Sequence, residues 1–119
     1  MSELNLQKGI IIARPMYTAP EVLEGRQYSF SADIFSLAVM AWEMWYGRRV
    51  FSESFYSDVM FDYSSIKEHV LSGTRPRLDD TAGPPEDIQR IIKNCWVEEA
   101  VKRPTALQLI GYLKAAAPL

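Results

Sequence analysis

Between Asp33 and Tyr46, eleven of fourteen residues are apolar: Ile34, Phe35, Leu37, Ala38, Val39, Met40, Ala41, Trp42, Met44, Trp45 and Tyr46. A helix lying on a protein surface would leave about half of such a run polar. A helix apolar nearly all round belongs at the centre of a domain, wrapped by other elements. Ser36 and Glu43 interrupt the run, and it is too short to cross a bilayer, which takes about 20 residues. Ser29-Phe30-Ser31 reads as the helix entry, with Ser31 as N-cap and Asp33 in the first turn, and Gly47 as the stop.

Shorter elements surround it. Gly9-Ile10-Ile11-Ile12-Ala13 favours a brief extended run. Pro15 and Pro20 punctuate a loop, and Pro20 suits the first turn of a short helix through Glu24 that Gly25 ends. Residues 48–60 are aromatic and serine-rich without a period and read as a loop. Asp62 to Leu71 carries apolar residues at helical spacing, with Gly73 beyond its end. After a loop from Arg75 to Pro85, Ile88, Ile91, Ile92, Cys95 and Trp96 fall on one face of a helix from Glu86 to Trp96. Pro104 opens a last helix carrying Leu107, Ile110 and Leu113. The fold class is mainly α, one domain around one very apolar helix.

The counts exclude several function classes. In 119 residues, 13 Lys and Arg face 15 Asp and Glu, a formal charge of -2, which argues against a nucleic-acid backbone as main partner. One Cys forbids an intrachain disulfide, and one His with one Cys forbids a His/Cys zinc cluster. The glycines at 9, 25, 47, 73, 83 and 111 lie no closer than ten residues, so no phosphate-cradling glycine loop can be built from them. Residues 1–6 hold no basic run followed by an apolar stretch, so they are not read as a secretory signal. A reducing, cytoplasmic setting without membrane insertion is the expectation.

Several motifs then fall in one order. Tyr17-Thr18-Ala19-Pro20-Glu21 resembles the Ala-Pro-Glu end of a protein kinase activation segment. Asp33-Ile34-Phe35-Ser36-Leu37-Ala38 resembles the start of the kinase central helix F, and Trp42-Glu43-Met44 with Tyr46-Gly47 continues it. Gly73-Thr74-Arg75-Pro76 resembles the turn after helix G. Cys95-Trp96, Glu99 and Arg103-Pro104-Thr105 resemble the end of helix H and the start of helix I. Five pieces in the family's order and near its spacing make a resemblance to the protein kinase superfamily. The Cys-Trp and Arg-Pro pair points to its tyrosine kinase or tyrosine kinase-like branch. The resemblance implies the C-terminal part of a kinase large lobe, helices EF, F, G, H and I, as an incomplete domain. Residues 1–7 would be an extended or disordered start, 8–115 the partial domain and 116–119 a tail.

That resemblance implies residue roles. Glu21 and Arg103 match a buried ion pair that ties the activation segment to the base of the lobe. Asp33 matches an anchor that accepts backbone amides of the catalytic loop, beside the plainer reading of an acid at a helix N-terminus. Arg14, Pro15, Met16, Tyr17 and Thr18 would face the substrate. Serine/threonine kinases usually carry Thr where Arg14 stands, and tyrosine kinases Trp where Tyr17 stands. Ala19, Pro20, Cys95, Trp96 and Pro104 are structural motif positions. Trp42, Trp45 and Tyr46 read as core packing, and Cys95 as a small buried hydrophobe. Phe55, Tyr56 and Phe61 lie in a stretch longer than the family's usual approach to helix G, either a plain loop or an interaction surface.

The family transfers phosphate from ATP, with magnesium, to protein Ser, Thr or Tyr. Its glycine-rich loop, strand lysine, His-Arg-Asp and Asp-Phe-Gly motifs do not occur in these 119 residues. The chain itself is therefore expected to hold no ATP or magnesium and no metal, and to supply only substrate docking and support for the activation segment. The alternative is a non-catalytic, pseudokinase-derived interaction module. Expected partners are a protein substrate or partner protein, or the upstream part of a kinase domain. Without that upstream part, some of Ile34 to Tyr46 is expected to stand exposed.

Overall fold

The computed structural model describes residues 15–26, 28–47, 50, 63–78 and 81–116, with backbone only for 63–65. In chain order, a 3₁₀ turn at Pro15–Tyr17 precedes α1 (Pro20–Leu23), α2 (Phe30–Tyr46), α3 (Tyr63–Leu71) and α4 (Glu86–Cys95). A 3₁₀ turn at Ala100–Lys102 and α5 (Ala106–Ala116) follow. The described residues contain helices and turns and no strand. The Ile10–Ile12 run, Arg14 and the stretch holding Phe55, Tyr56 and Phe61 lie outside them.

The apolar run forms the central helix. Its start differs from the sequence reading: Ser29, in extended conformation, occupies the N-cap and α2 begins at Phe30. Ser31 lies inside the first turn, where its carbonyl accepts a hydrogen bond from Arg103 Nη1 at 3.0 Å. A serine engaged through its backbone carbonyl in a tertiary contact gives no cap signal, which explains the two-residue shift. At the other end Gly47 takes the left-handed conformation, φ +69°, and its N–H bonds the Glu43 carbonyl at 2.8 Å. A residue with a Cβ would be strained there.

One side of α2 makes the core. Ala32, Ile34, Phe35, Ala38, Val39 and Trp42 are buried. They pack among Leu23, Ile66, Val70, Leu78, Ile92, Cys95 and Trp96. α4 lies along α2 and α5 along α4, while the Pro15–Tyr17 turn touches both α2 and α3. Leu37, Met40, Met44 and Trp45 of the same helix remain exposed. The helix is apolar all round, but the described residues cover only part of it.

Polar groups fix the flanking loops. Trp42 Nε1 donates to the Arg77 carbonyl at 2.7 Å and Trp45 Nε1 to the Ala82 carbonyl at 2.8 Å. Two indoles one turn apart thus hold both ends of one loop. α5 begins with a reciprocal cap that the reading of Pro104 as its opener had not included. The Gln108 N–H donates to Thr105 Oγ1 at 3.1 Å, and the Thr105 N–H to Gln108 Oε1 at 2.9 Å. That is the capping-box arrangement, written in the sequence as Thr-x-x-Gln.

Candidate functional site

Segment 15–21 is seated on α2 by the two residues that interrupt its apolar run. Ser36 and Glu43 are seven positions apart, two helical turns, and so share a face. Ser36 Oγ donates to the Tyr17 carbonyl at 2.5 Å. The Tyr17 hydroxyl lies between the Glu43 carboxylate oxygens, 2.7 and 2.8 Å away. Glu43 Oε2 also accepts the Val50 N–H at 3.1 Å. The carboxylate therefore joins the segment before α1 to the chain leaving α2. Sequence reasoning did not assign Ser36 or Glu43 a role, although a polar pair at i, i+7 in an otherwise apolar helix was the available signal.

Of the segment's residues, Pro15 is buried, while Met16, Tyr17 and Thr18 are half-buried, and Arg14 lies outside the described residues. The Thr18 N–H donates to the Pro15 carbonyl at 3.2 Å, closing the turn. Pro20, the first helical residue, is then buried beside Glu21.

Glu21 and Arg103 meet across 82 residues. Arg103 Nη1 lies 2.8 Å from Glu21 Oε2 and Nη2 lies 2.9 Å from Oε1, a two-pronged pair. The remaining Arg103 donors reach the carbonyls of Val97 at 2.9 Å, Ser31 at 3.0 Å and Glu98 at 3.2 Å. All five guanidinium N–H groups are used, which is what allows that charge to be buried. Burial works to raise the Glu21 pKa, but the Arg103 hydrogen bonds and charge prevail and hold it below its usual value. The arrangement ties α1, the start of α2 and the loop before α5 together.

A second arginine shares this centre. The guanidinium carbons of Arg75 and Arg103 each stand 5.1 Å from the centre of the Phe35 ring, a cation–π arrangement. Arg75 donates to the carbonyls of Trp96 at 2.8 Å, Thr74 at 2.9 Å and Val70 at 3.0 Å. Burial, aided by the Arg103 charge, lowers its pKa to about 10. Arg75 thereby links the turn after α3 to the end of α4. The sequence named it only as part of a motif.

Cys95 is buried against this cluster, and burial pushes its thiol up to about 11 while the Arg103 charge pulls the other way. It is a neutral wall residue, not a nucleophile. Trp96 and Pro104 are buried too. Asp33 stands apart: it is exposed at the start of α2 and accepts a hydrogen bond from the Tyr28 hydroxyl. Among the described residues, no three His, Cys, Asp or Glu side chains gather where they could hold a metal ion. No helix among the described residues is long and apolar enough to cross a membrane.

Residues 5–112 match the family model for the protein kinase domain. The chain belongs to the protein kinase family. It is 35% identical over 99 residues to serine/threonine-protein kinase/receptor R831 of Acanthamoeba polyphaga mimivirus, covering 83% of this chain and 6% of that relative. It is 36% identical over 112 residues to serine/threonine-protein kinase gdt4 of Dictyostelium discoideum, covering 94% of this chain and 6% of that one. A third relative, cyclic GMP-binding protein C of Dictyostelium discoideum, is 31% identical over 106 residues, covering 87% of this chain and 4% of the relative. The chain thus spans about a twentieth of the length of these relatives. As a kinase-family chain, it is mainly helical, in keeping with a piece of the domain's helical lobe.

Proposed function

We propose that this chain is the C-terminal, helical part of a protein kinase domain and that it seats the end of the activation segment for a protein substrate. The observation that supports this most is the attachment of Tyr17 to α2 through both its carbonyl and its hydroxyl, with Glu21 clamped next to it by Arg103. Together these bonds fix the conformation of segment 15–21, and a fixed acceptor platform is what phosphotransfer requires of the substrate side. The names of two relatives, serine/threonine-protein kinases, support a Ser or Thr acceptor for the parent domain. Arg14, in place of the usual Thr, is the departure from that pattern. The Cys95-Trp96 and Arg103-Pro104 pairs support the tyrosine kinase-like branch.

In this reading ATP and magnesium belong to the parent domain and the chain by itself binds neither, in a cytoplasmic setting. The alternative is a pseudokinase-derived module that acts only through partners. A chimera separates the two. The matched segment of kinase gdt4 is replaced by this chain, and phosphate transfer to a generic protein substrate is measured. Activity that is lost on Glu43→Ala supports the platform reading. A folded but inactive chimera overturns it in favour of the interaction module. For the chain alone, no thermal stabilisation by magnesium-ATP is expected. Ligand at a hundred times its Kd would add about 2.7 kcal/mol, so a clear rise in Tm would contradict the placement of the nucleotide site elsewhere.

A further inference from the structure

α4 ends at Cys95, and the chain leaving it presents three successive carbonyls, those of Trp96, Val97 and Glu98, outside any helix. Carbonyls in a packed segment of this kind need donors. Two arginines divide them. Arg75 Nε donates to the Trp96 carbonyl at 2.8 Å, while Arg103 Nε and Nη2 donate to those of Val97 at 2.9 Å and Glu98 at 3.2 Å. Both guanidinium carbons stand 5.1 Å from the centre of the buried Phe35 ring. Arg75 Nη1 donates in turn to the carbonyls of Val70 and Thr74, in the last turn of α3 and just past it. α3 itself lies against both the Pro15–Tyr17 turn and α1. Burial, and after it the Arg103 charge, oppose a charged Arg75. Three carbonyls and the ring offset that cost.

We infer that Arg75 is a positioning residue for segment 15–21: by fixing the Trp96 carbonyl to the end of α3, it sets the chain whose next two carbonyls aim Arg103 at Glu21. A guanidinium is planar, so holding Arg103 Nε and Nη2 on the Val97 and Glu98 carbonyls fixes where Nη1 and Nη2 point. They point at Glu21 Oε2 and Oε1. Those two carbonyls keep their place only while residue 96, next to them in the chain, keeps its own. Arg75 thus acts on the clamp through Arg103. Its bearing on phosphate transfer rests on the platform reading above, whereas the clamp itself can be read in the free chain. Charge and geometry separate cleanly here, because Arg75→Lys retains the positive charge and loses the fork.

Carbon NMR of the glutamate-labelled chain follows the Glu21 carboxyl through the acid range. With Arg75→Lys, the Glu21 titration is expected to move up toward its ordinary value although the net charge is unchanged. Exchange of the Thr18 amide is expected to quicken at least about tenfold, the least that loss of one hydrogen bond to a charged group implies. Arg90→Lys, on the exposed surface of α4, is expected to alter neither. Coupling runs both ways. In the unmodified chain the Arg75 Nε–H signal is therefore expected to shift, and to exchange faster, as Glu21 is protonated. A folded Arg75→Lys chain that keeps the native Glu21 titration and Thr18 exchange overturns the inference, even if its stability falls. Should that variant not fold, the unmodified chain decides: an Arg75 signal that passes unchanged through the Glu21 midpoint overturns the inference as well. None of these outcomes bears on phosphate transfer by the chimera, so the two ideas fail separately.

Discussion

The Tyr17 hydroxyl sits 2.7 and 2.8 Å from the two oxygens of Glu43, a residue 26 positions further along the chain. This bond joins a turn with no regular hydrogen-bond ladder of its own to the most deeply built helix in the molecule. Hydrogen bonds to charged groups contribute about 1.5–3 kcal/mol, above the neutral range. Tyr17→Phe is therefore expected to cost about 1.5–3 kcal/mol in urea unfolding, read as a lower midpoint at unchanged slope. Combined with Glu43→Gln, the two losses should fall short of their sum. Full additivity would show that the contact does not form in solution.

The Glu21–Arg103 pair gives a pH signature. Burial works to raise the Glu21 carboxyl, but the Arg103 guanidinium beside it holds it below its ordinary value of 4.5 in the folded chain. Its contribution is therefore fully present above the unfolded pKa and is lost as pH falls through the lower folded value. Unfolding measured from neutral pH down into the acid range should show a steeper loss of stability for the native chain than for Glu21→Gln. Arg103→Ala, which leaves Glu21 buried and unpaired, should cost about 3–5 kcal/mol at neutral pH. Arg103→Lys should recover only part of it, since an ammonium cannot match both carboxylate oxygens and three carbonyls at once.

Cys95 should be inert while the chain is folded. Its thiol pKa is raised from 9.0 to about 11 by burial, so the thiolate is scarce at pH 8. Labelling with a disulfide reagent is expected to follow global unfolding, fast in denaturant and slow without it. Because the unfolded thiol ionises first, this group's contribution is present below the unfolded pKa and fades as pH rises through the folded one. Rapid labelling of the native chain at pH 8 would refute the buried placement.

Two glycines make a contrast in one measurement. A Cβ on Gly83 would lie 2.2 Å from the Leu78 carbonyl oxygen and 3.1 Å from both Gln89 Nε2 and Tyr46 Oη. The backbone must shift to admit it, so Gly83→Ala should lower stability by about 1–3 kcal/mol. Gly111 lies in the exposed middle of α5 with nothing near the added atom. Gly111→Ala should raise stability by about 0.5–1 kcal/mol through helix propensity. The pair of melting curves, one shifted down and one up, checks the loop packing and the register of α5 together.

Much of the fold was readable because helical periodicity is local. The apolar run and the spacing of Ile88, Ile91, Ile92 and Cys95 placed α2 and α4 to within two residues. The cap at Ser29 was not readable, since Ser31 looks as good a cap until its carbonyl is seen bound to Arg103. The meeting of Glu21 with Arg103 came only from resemblance to a family, because no periodicity joins residues so far apart. Ser36 and Glu43 were in view as interruptions, yet their partner lies outside the helix, and spacing within a helix cannot name it. The stacking of Arg75 and Arg103 on Phe35 depends on three segments converging, which no pattern in one dimension records.

The partners of the clamp are also separated in time. Glu21 leaves the ribosome 82 residues before Arg103, a lag of about 4–16 s at ordinary rates of synthesis. During that interval the carboxylate has no guanidinium to meet, and the Ser31 carbonyl at the head of α2 lacks its donor. The join between α1, the head of α2 and the loop before α5 therefore stays open until synthesis has passed Arg103. A ribosome stalled between the codons for Gly47 and Arg103 would carry a nascent chain that holds all of α2 yet leaves α1 unlatched from it.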